Sequence, residues 1–361
     1  MTLEAVESAS TRAQMPGDPS RFGVFLPSYI WPEDGPERVR GLIEFAREVE
    51  RLGFDSIFIT DHVIAARHFY DVSWLDPLTT LTFVAAATER VRLGTSILIL
   101  PLRHPVILAK QIATLEYLSG DRYIIGGGVG WYGPEFEAVG THKSERGRRT
   151  DEVLDILKGL LTQESFSYDG QLYQLRDVTI DPRPLRMPPV WIGGGSQLAS
   201  EKSPEAPLFH PAVMARIARS DGWIPRPTSP PEQIASDWQD LQGYLRKEGR
   251  DPREVAVVHE NFLHFVLDND RDRVLREQHT AYARVMSEAR GDDYLESVYL
   301  FGTPDEIVAK LQARVDAGVQ YFVLHTMTPN PGQLELWLRE IVPNVLFPAD
   351  SRVAGTAAPI S

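Results

Sequence analysis

Short apolar runs alternate along the chain with longer segments in which apolar residues recur at helical spacing. After the first run, apolar positions from Val39 to Leu52 follow that spacing, which predicts a helix ending before Gly53. Further helices are predicted over 77–89, 105–118 and about 145–162. The apolar runs themselves predict eight strands: FGVFLP (22–27), SIFIT (56–60), RLGTSILIL (92–100), RYIIGG (122–127), VWIGG (190–194), DGWIP (221–225), VAVVHENFLHFVL (255–267) and YFVLH (321–325).

Strands that are apolar at nearly every position are typical of a parallel sheet covered by helices. Eight such strands alternating with helices predict a single α/β domain, a (β/α)8 TIM barrel over residues 21–348. A doubly wound sheet also fits the alternation, but it usually has fewer strands and a recognisable second domain. Residues 1–20 and 349–361 are predicted to be extended or disordered ends.

Two connections are longer than usual. Residues 164–189 contain Asp169-Gly170 between alternating runs, which predicts a hairpin, whereas residues 196–210 are polar and interrupted by proline. In a barrel we expect both as insertions over the mouth at the carboxyl ends of the strands, with a mobile surface insertion as the alternative for the second. Two helix starts are also predicted, one capped by Ser229 before Pro230 and one by Thr303, with Glu306 completing a capping box.

Composition restricts the chemistry. The chain has no cysteine, which excludes disulfides, iron–sulfur clusters, thiolate zinc sites and a catalytic thiol. A formal charge of −13 argues against nucleic acid or an anionic membrane as a partner, so a small-molecule ligand is expected. No signal peptide and no apolar run long enough to cross a bilayer is found, which favours a cytoplasmic protein.

The segment GVGWYG places Gly128, Gly130 and Gly133 in the G-x-G-x-x-G pattern of a dinucleotide-binding loop. Its context argues against NAD, because the strand before it is the fourth and Pro134 separates it from the helix predicted near residue 145. We favour glycines that let the backbone approach a flat ligand, with Trp131 as a candidate wall of the pocket. Tight packing of a barrel strand is the structural alternative.

The run from residue 92 to 157, together with SIFITDH before it and VWIGGGS and SDGWIP after it, resembles the luciferase-like flavin-dependent oxidoreductases. The similarity is greatest to the branch described as dependent on coenzyme F420. It extends over roughly residues 20–345 and implies a (β/α)8 barrel. It also implies reduced FMN or reduced F420 as the cofactor, bound at the carboxyl ends of the strands.

Candidate catalytic residues close the second strand. His62 can donate or accept a proton near neutral pH, and Asp61 beside it could fix the imidazole tautomer. The resemblance implies that His62 faces the cofactor ring. It further implies a non-proline cis peptide behind the ring, for which we predict the Ser96–Ile97 bond. A trans bond there would remove the main reason for preferring F420.

The cofactor's phosphate is expected at the end of the fifth strand, where glycines expose backbone N–H groups. The residues are Gly193, Gly194, Gly195 and Ser196, and the resemblance implies the same position. The insertion after them separates the glycines from a helix predicted near Pro211, so Lys202 is a weaker candidate for supplying charge. Candidate substrate contacts lie in the loop after His62, namely Phe69, Tyr70 and Trp74.

His259, Glu260 and His264 resemble a zinc-binding sequence, but H-E-x-x-x-H on a strand sends the two histidines to opposite faces. No metal site is therefore predicted. Alternation places His259 and Asn261 on one face and Glu260 and His264 on the other, and one of these sets should line the barrel interior.

These observations lead to one expected function and its alternatives. We expect an oxidoreductase that uses F420, slightly preferred, or FMN for hydride transfer to, or monooxygenation of, a small organic substrate. A strictly FMN- and oxygen-dependent monooxygenase and a non-catalytic ligand-binding barrel remain as alternatives. A separate reductase supplying reduced cofactor is a candidate partner, and the resemblance implies a homodimer.

Overall fold

The computed structural model describes residues 14–197, 208–286 and 291–349. All eight predicted strands are present in it. The strands are β1 (Gln14–Pro16), β2 (Phe22–Phe25), β3 (Tyr29–Ile30), β4 (Ser56–Ile59), β5 (Ser73–Trp74), β6 (Arg92–Thr95), β7 (Leu98–Ile99), β8 (Tyr123–Gly128), β9 (Phe166–Asp169), β10 (Gln174–Val178), β11 (Val190–Gly193), β12 (Gly222–Ile224), β13 (Ala256–Phe262), β14 (Tyr321–His325) and β15 (Leu346–Pro348).

Parallel strands close into a barrel. The order is β2-β4-β6-β8-β11-β12-β13-β14, and β14 pairs with β2 to complete the ring. The third position is shared by two short strands, because β6 ends at Thr95, β7 begins at Leu98, and both pair with β8. The predicted (β/α)8 barrel is confirmed.

Helices follow the barrel strands and cover the outside. The helices predicted from apolar spacing are confirmed, although the second ends at Ala85 rather than at residue 89. The α-helices are α1 (Arg38–Arg51), α2 (Pro77–Ala85), α3 (Pro105–Ser119), α4 (Gly133–Ala138), α5 (Arg146–Thr162), α6 (Pro211–Ile217), α7 (Pro231–Lys247), α8 (Arg271–Ala283), α9 (Asp292–Val298), α10 (Pro304–Asp316) and α11 (Gly332–Glu340).

The two predicted helix starts have different outcomes. Thr303 caps α10, with its side chain accepting from the Glu306 N–H and the Glu306 side chain accepting from the Thr303 N–H, so the capping box is confirmed. The prediction for Ser229 is wrong. The second of two consecutive prolines, Pro231, occupies the first helical position of α7, and Pro230 therefore stands at the N-cap.

Two apolar cores lie on either side of the barrel wall. Along each barrel strand every second side chain points inward and is buried inside the barrel, and the others point outward. The outward residues pack under the helices in a larger core that includes Phe22, Val24, Ile57 and Phe322. The inner core consists of Phe25, Phe58, Ile124, Trp191, Ile224, Ala256, Val258, Tyr321 and Val323.

The residues between β13 and α10 form a cap at the mouth, which the apolar pattern did not predict. Its helices α8 and α9 share a buried apolar cluster with the short antiparallel pair of β3 and β5, and a bridge joins Tyr70 to Met286. The cap therefore connects the loops after the first and second barrel strands to the segment after the seventh. Cluster members include Tyr29, Val72, Tyr282, Val285, Tyr299 and Met327.

The hairpin predicted around Asp169-Gly170 is present as β9 and β10, but its expected position over the mouth is wrong. It follows the carboxyl end of α5 and folds back along that helix. Phe166 fills the space beside Gly159, and the turn donates backbone N–H groups to Glu152. This position follows from chain order, because a segment that leaves a barrel helix starts at the end of the barrel opposite the mouth.

Most of the polar insertion at 196–210, including Lys202, lies outside the described residues, as do the first 13 and last 12 residues of the two predicted ends. Within the first predicted end, β1 pairs with β15. No helix among the described residues is long and apolar enough to cross a bilayer.

Candidate active site at the barrel mouth

His62 lies at the mouth, just beyond the end of β4, and is 8% exposed. Its Nδ1 is 3.1 Å from Oε1 of Glu135, and the same oxygen accepts the Val63 N–H at 2.8 Å. With Glu135 as a carboxylate, Nδ1 carries the imidazole proton. Nε2 then keeps a lone pair that can accept a proton from a bound substrate.

Glu135 was missed by the sequence reasoning. It belongs to α4, a short helix that was not predicted and that starts at Gly133 directly after the glycine loop, whereas the helix expected near residue 145 is present as α5. Proline fits the first turn of a helix because its missing N–H would be unpaired there. Glu135 is fully buried, and no described residue bonds its Oε2. A proline followed at once by an acid was the available signal.

Asp61 does not orient His62, contrary to expectation. Its carboxylate accepts the Ile99 N–H at 2.9 Å and pairs with Arg103 at 3.1 Å. Adjacent residues at a strand end point to opposite sides, which directs Asp61 away from the histidine. Burial raises the pKa of the Asp61 carboxyl, and Arg103 acts in the opposite direction. Asp61 therefore anchors the start of β7.

The predicted cis peptide between Ser96 and Ile97 is confirmed. Ile97 lies at the top of the inner core, partly exposed to the mouth. Its side chain occupies the space beside Gly128 and Gly193, where a Cβ would come within 2.0 Å of Cδ1 and 2.8 Å of Cγ2 respectively. Ile97 therefore forms an apolar floor where the third, fourth and fifth barrel strands meet.

The glycines of β8 serve packing rather than direct ligand approach. A Cβ on Gly126 would lie 1.7 Å from the Thr95 carbonyl oxygen, so the glycine is required by the neighbouring strand. Gly130 has a φ of +69°, a left-handed backbone conformation that favours glycine. The tight-packing alternative is thus the better explanation for Gly128, and these glycines shape the floor by admitting Ile97.

Aromatic side chains form one wall of the mouth. Trp131 is 43% exposed, so it is not an ordinary core tryptophan, and its ring lies 4.6 Å from Phe69 and 6.1 Å from His62. Tyr70 lies 5.1 Å from His62 and 5.5 Å from Trp74. The three residues predicted as substrate contacts are therefore brought together with His62.

A cavity of about 900 Å³ opens beside this wall, at the ends of the fourth and fifth barrel strands. Gly193, Gly194 and Gly195 line it, in agreement with their predicted place in a phosphate site. The N–H of Gly194 is bonded to the Ile224 carbonyl. The side lined by Ala212 and Val213 comes from α6, which begins at Pro211 as expected.

Ser196 is turned away from this cavity. Its N–H and hydroxyl donate to the two carboxylate oxygens of Asp237, at 2.8 and 2.5 Å, and the residue is 3% exposed. The predicted phosphate contact of Ser196 is therefore replaced by a contact that fixes the glycine turn against α7.

Three arginines that form no ion pair with a described residue line the same cavity. Arg146 donates to the Gly130 carbonyl at 3.0 Å, and neither it nor Arg148 or Arg226 forms an ion pair with a described residue. Arg216 also lines the cavity but is paired with Asp151. In a chain with a net charge of −13, three arginines on one cavity wall with no ion pair to a described residue are suited to an anionic ligand.

Glu260 belongs to the set that faces the barrel interior, and its Oε2 accepts a hydrogen bond from the Ser96 hydroxyl. His259 and Asn261 point outward and are fully buried, whereas His264 lies beyond the end of β13. No cluster of three or more potential metal ligands occurs in the described ranges.

The chain is similar in sequence or in fold to several known enzymes. An F420-dependent glucose-6-phosphate dehydrogenase of Kineococcus radiotolerans is 29% identical over 314 residues, covering 81% of this chain and 87% of the relative. One of the similar solved structures is an F420-dependent secondary alcohol dehydrogenase with an F420–acetone adduct, at a TM-score of 0.73, 17% identity and coverage of 92% and 99%. Another is the monooxygenase RslO1 from Streptomyces bottropensis, at a TM-score of 0.72, 21% identity and coverage of 90% and 99%.

The family model described as luciferase-like monooxygenase matches residues 20–321, which span the barrel from β2 to the start of β14. The resemblance inferred from the glycine loop and its neighbours is confirmed. The chain belongs to the luciferase-like monooxygenase family.

Proposed function

We propose that this protein is an F420-dependent oxidoreductase that interconverts an alcohol and a carbonyl group on a small organic substrate. The choice of cofactor rests on the cavity lined by three arginines that form no ion pair with any residue the structure describes. F420 has a long anionic tail, whereas FMN ends in a single phosphate. A wide, positively charged cavity beside the mouth suits the longer tail better.

The residues present fit such a cofactor. Gly193 and Gly194 line the cavity with backbone alone, and a Cβ on either would come within 2.8 Å of Ile97 or Val213, so a larger residue there would have to displace these neighbours. Arg146, Arg148 and Arg226 would hold the tail. Ile97 would support the ring from below, and bound F420 would supply a two-electron carrier for the substrate's hydride.

The chain's own chemical task is to move the hydroxyl proton. When an alcohol is oxidised, its carbon loses a hydride and its oxygen loses a proton. The Nε2 atom of His62 would accept that proton, and Glu135 would stabilise the resulting imidazolium through Nδ1. In the reverse direction the same nitrogen donates the proton to the carbonyl oxygen.

The substrate is proposed to be an apolar or aromatic alcohol rather than a sugar phosphate. Phe69, Tyr70 and Trp131 surround His62, and rings of this kind bury apolar surface. Related F420-dependent proteins are named for glucose 6-phosphate and for secondary alcohols. The aromatic wall favours the second class.

Anaerobic turnover tests the proposal. Purified protein is mixed with oxidised F420 and a panel of secondary alcohols, aromatic alcohols and glucose 6-phosphate, and loss of F420 absorbance is followed. We expect reduction of F420 by an aromatic or secondary alcohol without oxygen. Substrate conversion that requires reduced FMN and oxygen, with no F420 reduction, would assign the protein to the monooxygenases instead.

A further inference from the structure

Glu260 is an acid at the floor of the mouth, and it takes no part in the proton transfer proposed for His62. It follows Val258 on the inward face of β13 and comes just below Phe262. The Ser96 hydroxyl donates to Oε2 from the opposite side of the barrel. No described residue bonds Oε1, and the residue is partly exposed. One carboxyl oxygen is thus held while the other is open to the mouth.

Among the residues that the structure describes, no positively charged side chain is paired with this carboxyl. His325, on the neighbouring strand β14, lies against Phe25 and Phe262, and burial lowers the pKa of His325 well below its usual value, so it is neutral. Burial raises the pKa of the Glu260 carboxyl to about 7, and the Ser96 hydrogen bond acts in the opposite direction. Glu260 therefore changes its charge in the range in which enzymes work.

The other titratable groups around the mouth are already engaged or lie elsewhere. On the β4 side His62 is bonded to Glu135, and Asp61 is turned outward to Arg103. After β12, Arg226 lines the 900 Å³ cavity described above and forms no ion pair with a described residue. Lower in the barrel, Tyr321 is bonded to Asp55.

Resting on the cofactor proposed above, we propose that Glu260 takes up a proton when F420 binds, and holds the cofactor ring as a neutral hydrogen-bond donor. A flat ring over Ile97 would displace water from the exposed oxygen of Glu260. Loss of water disfavours the charged form of an acid, and the negative charge of F420 disfavours it further. The carbonyl groups of a deazaflavin ring accept hydrogen bonds, which a protonated acid can donate and a carboxylate cannot.

Because binding is coupled to proton uptake, the affinity for F420 should fall as the pH rises. A ligand that prefers the protonated acid binds most tightly below the pKa of the free protein. Above it, each binding event must also add a proton, so affinity falls, approaching roughly a tenfold rise in Kd per pH unit above pH 8. Because pH 7.5 lies above this pKa, the free carboxyl is largely ionised there, and binding should take up a substantial fraction of one proton.

Calorimetry of the wild-type protein measures this uptake directly. F420 is titrated at pH 7.5 in two buffers of different ionisation enthalpy, and the difference in heat gives the number of protons taken up. We expect uptake of a substantial fraction of one proton at pH 7.5 and a much smaller uptake at pH 6. Tight F420 binding with no proton uptake at pH 7.5 would overturn the inference but leave the proposed function intact, whereas no F420 binding at all would overturn the proposed function.

Two variants assign the proton to its residue. E260Q should bind F420 with a Kd that no longer depends on pH between 7 and 9 beyond the cofactor's own titration. E116Q is the matched control, because Glu116 is also a buried acid whose pKa burial raises, to about 8, but it bonds the Tyr123 N–H at the other end of the barrel. E116Q should keep the wild-type uptake. Unchanged proton uptake in E260Q would contradict the assignment.

Discussion

The two sides of the mouth differ in charge and in side-chain chemistry. On the side of the fourth to sixth strands, glycine backbone and the side chains of Arg146, Arg148 and Arg226 surround a large cavity. On the side of the second strand and the cap, aromatic rings enclose His62 and its buried partner Glu135. Ile97 lies between the two sides. The first side is suited to holding an anionic ligand and the second to moving a proton.

This division implies that affinity and turnover depend on different residues. Among the described residues, the one hydrogen bond that connects these arginines to the chain beside the aromatic wall is donated by Arg146 to the carbonyl of Gly130, next to Trp131. Variants on the arginine side should therefore raise Kd, and variants on the aromatic side should lower kcat.

The largest effect is expected for H62A. Loss of the proton acceptor should lower kcat by roughly 10²- to 10⁴-fold, the usual contribution of general acid–base catalysis, while the Kd for F420 changes little. H104A is the matched control, since His104 is an exposed residue before α3 whose ring contacts Tyr173. Steady-state kinetics and fluorescence titration measure both quantities. A kcat of H62A within threefold of the wild type would reject the role given to His62.

R226A tests the other side. Removing one charge-assisted contact of about 1.5–3 kcal/mol should weaken F420 binding roughly 10- to 100-fold and leave kcat at saturation nearly unchanged. R253A provides the comparison, because Arg253 is 90% exposed and paired with Asp251. Fluorescence titration at low and high salt would show the loss. Equal loss of affinity in both variants would mean that only the overall charge matters.

E135Q should have a smaller effect on turnover than H62A. The amide keeps the shape of the side chain but cannot balance a charged imidazole, so we expect kcat to fall roughly tenfold, the effect of losing one hydrogen bond to a charged group. The Kd for F420 should stay within about twofold. Should F420 affinity collapse in E135Q while kcat is maintained, the division between the two sides of the mouth would be wrong.

The smallest effect on the site itself is expected from G126A, which tests whether the β8 glycines serve packing. The added methyl would collide with the Thr95 carbonyl, 1.7 Å away, so the free energy of unfolding should fall by about 3 kcal/mol, at the upper end of overpacking effects. G133A is the paired control from the same glycine loop, since nothing lies within 4 Å of its added Cβ. Thermal denaturation of both variants measures the difference, and equal stability would refute the packing explanation.

The barrel was accessible from the sequence because its strands carry a strong signal. Parallel strands buried on both faces are continuous in apolar residues, and the alternation with helices leaves few architectures. The cap was not predicted, because α8 has few apolar positions and becomes part of the core only by packing against Tyr29 and Val72 from distant loops.

The site was predicted less completely than the fold. His62 was a candidate from its position at a strand end, whereas the cis peptide at Ser96–Ile97 was predicted from the family resemblance. Asp61 and Ser196 were assigned from sequence adjacency, but their partners, Arg103 and Asp237, lie 42 and 41 residues away. Hydrogen bonds between distant residues leave no local pattern, and the same applies to Glu135 as the partner of His62.

The proposed preference for F420 is tested by titrating the wild-type protein with F420 and with FMN under the same buffer and salt conditions. Binding is measured by fluorescence. The arginine-lined cavity predicts that F420 binds at least tenfold more tightly than FMN, with the larger loss of affinity at high salt. FMN binding as tight as or tighter than F420 binding would contradict the central claim that this mouth is built for the longer anionic cofactor.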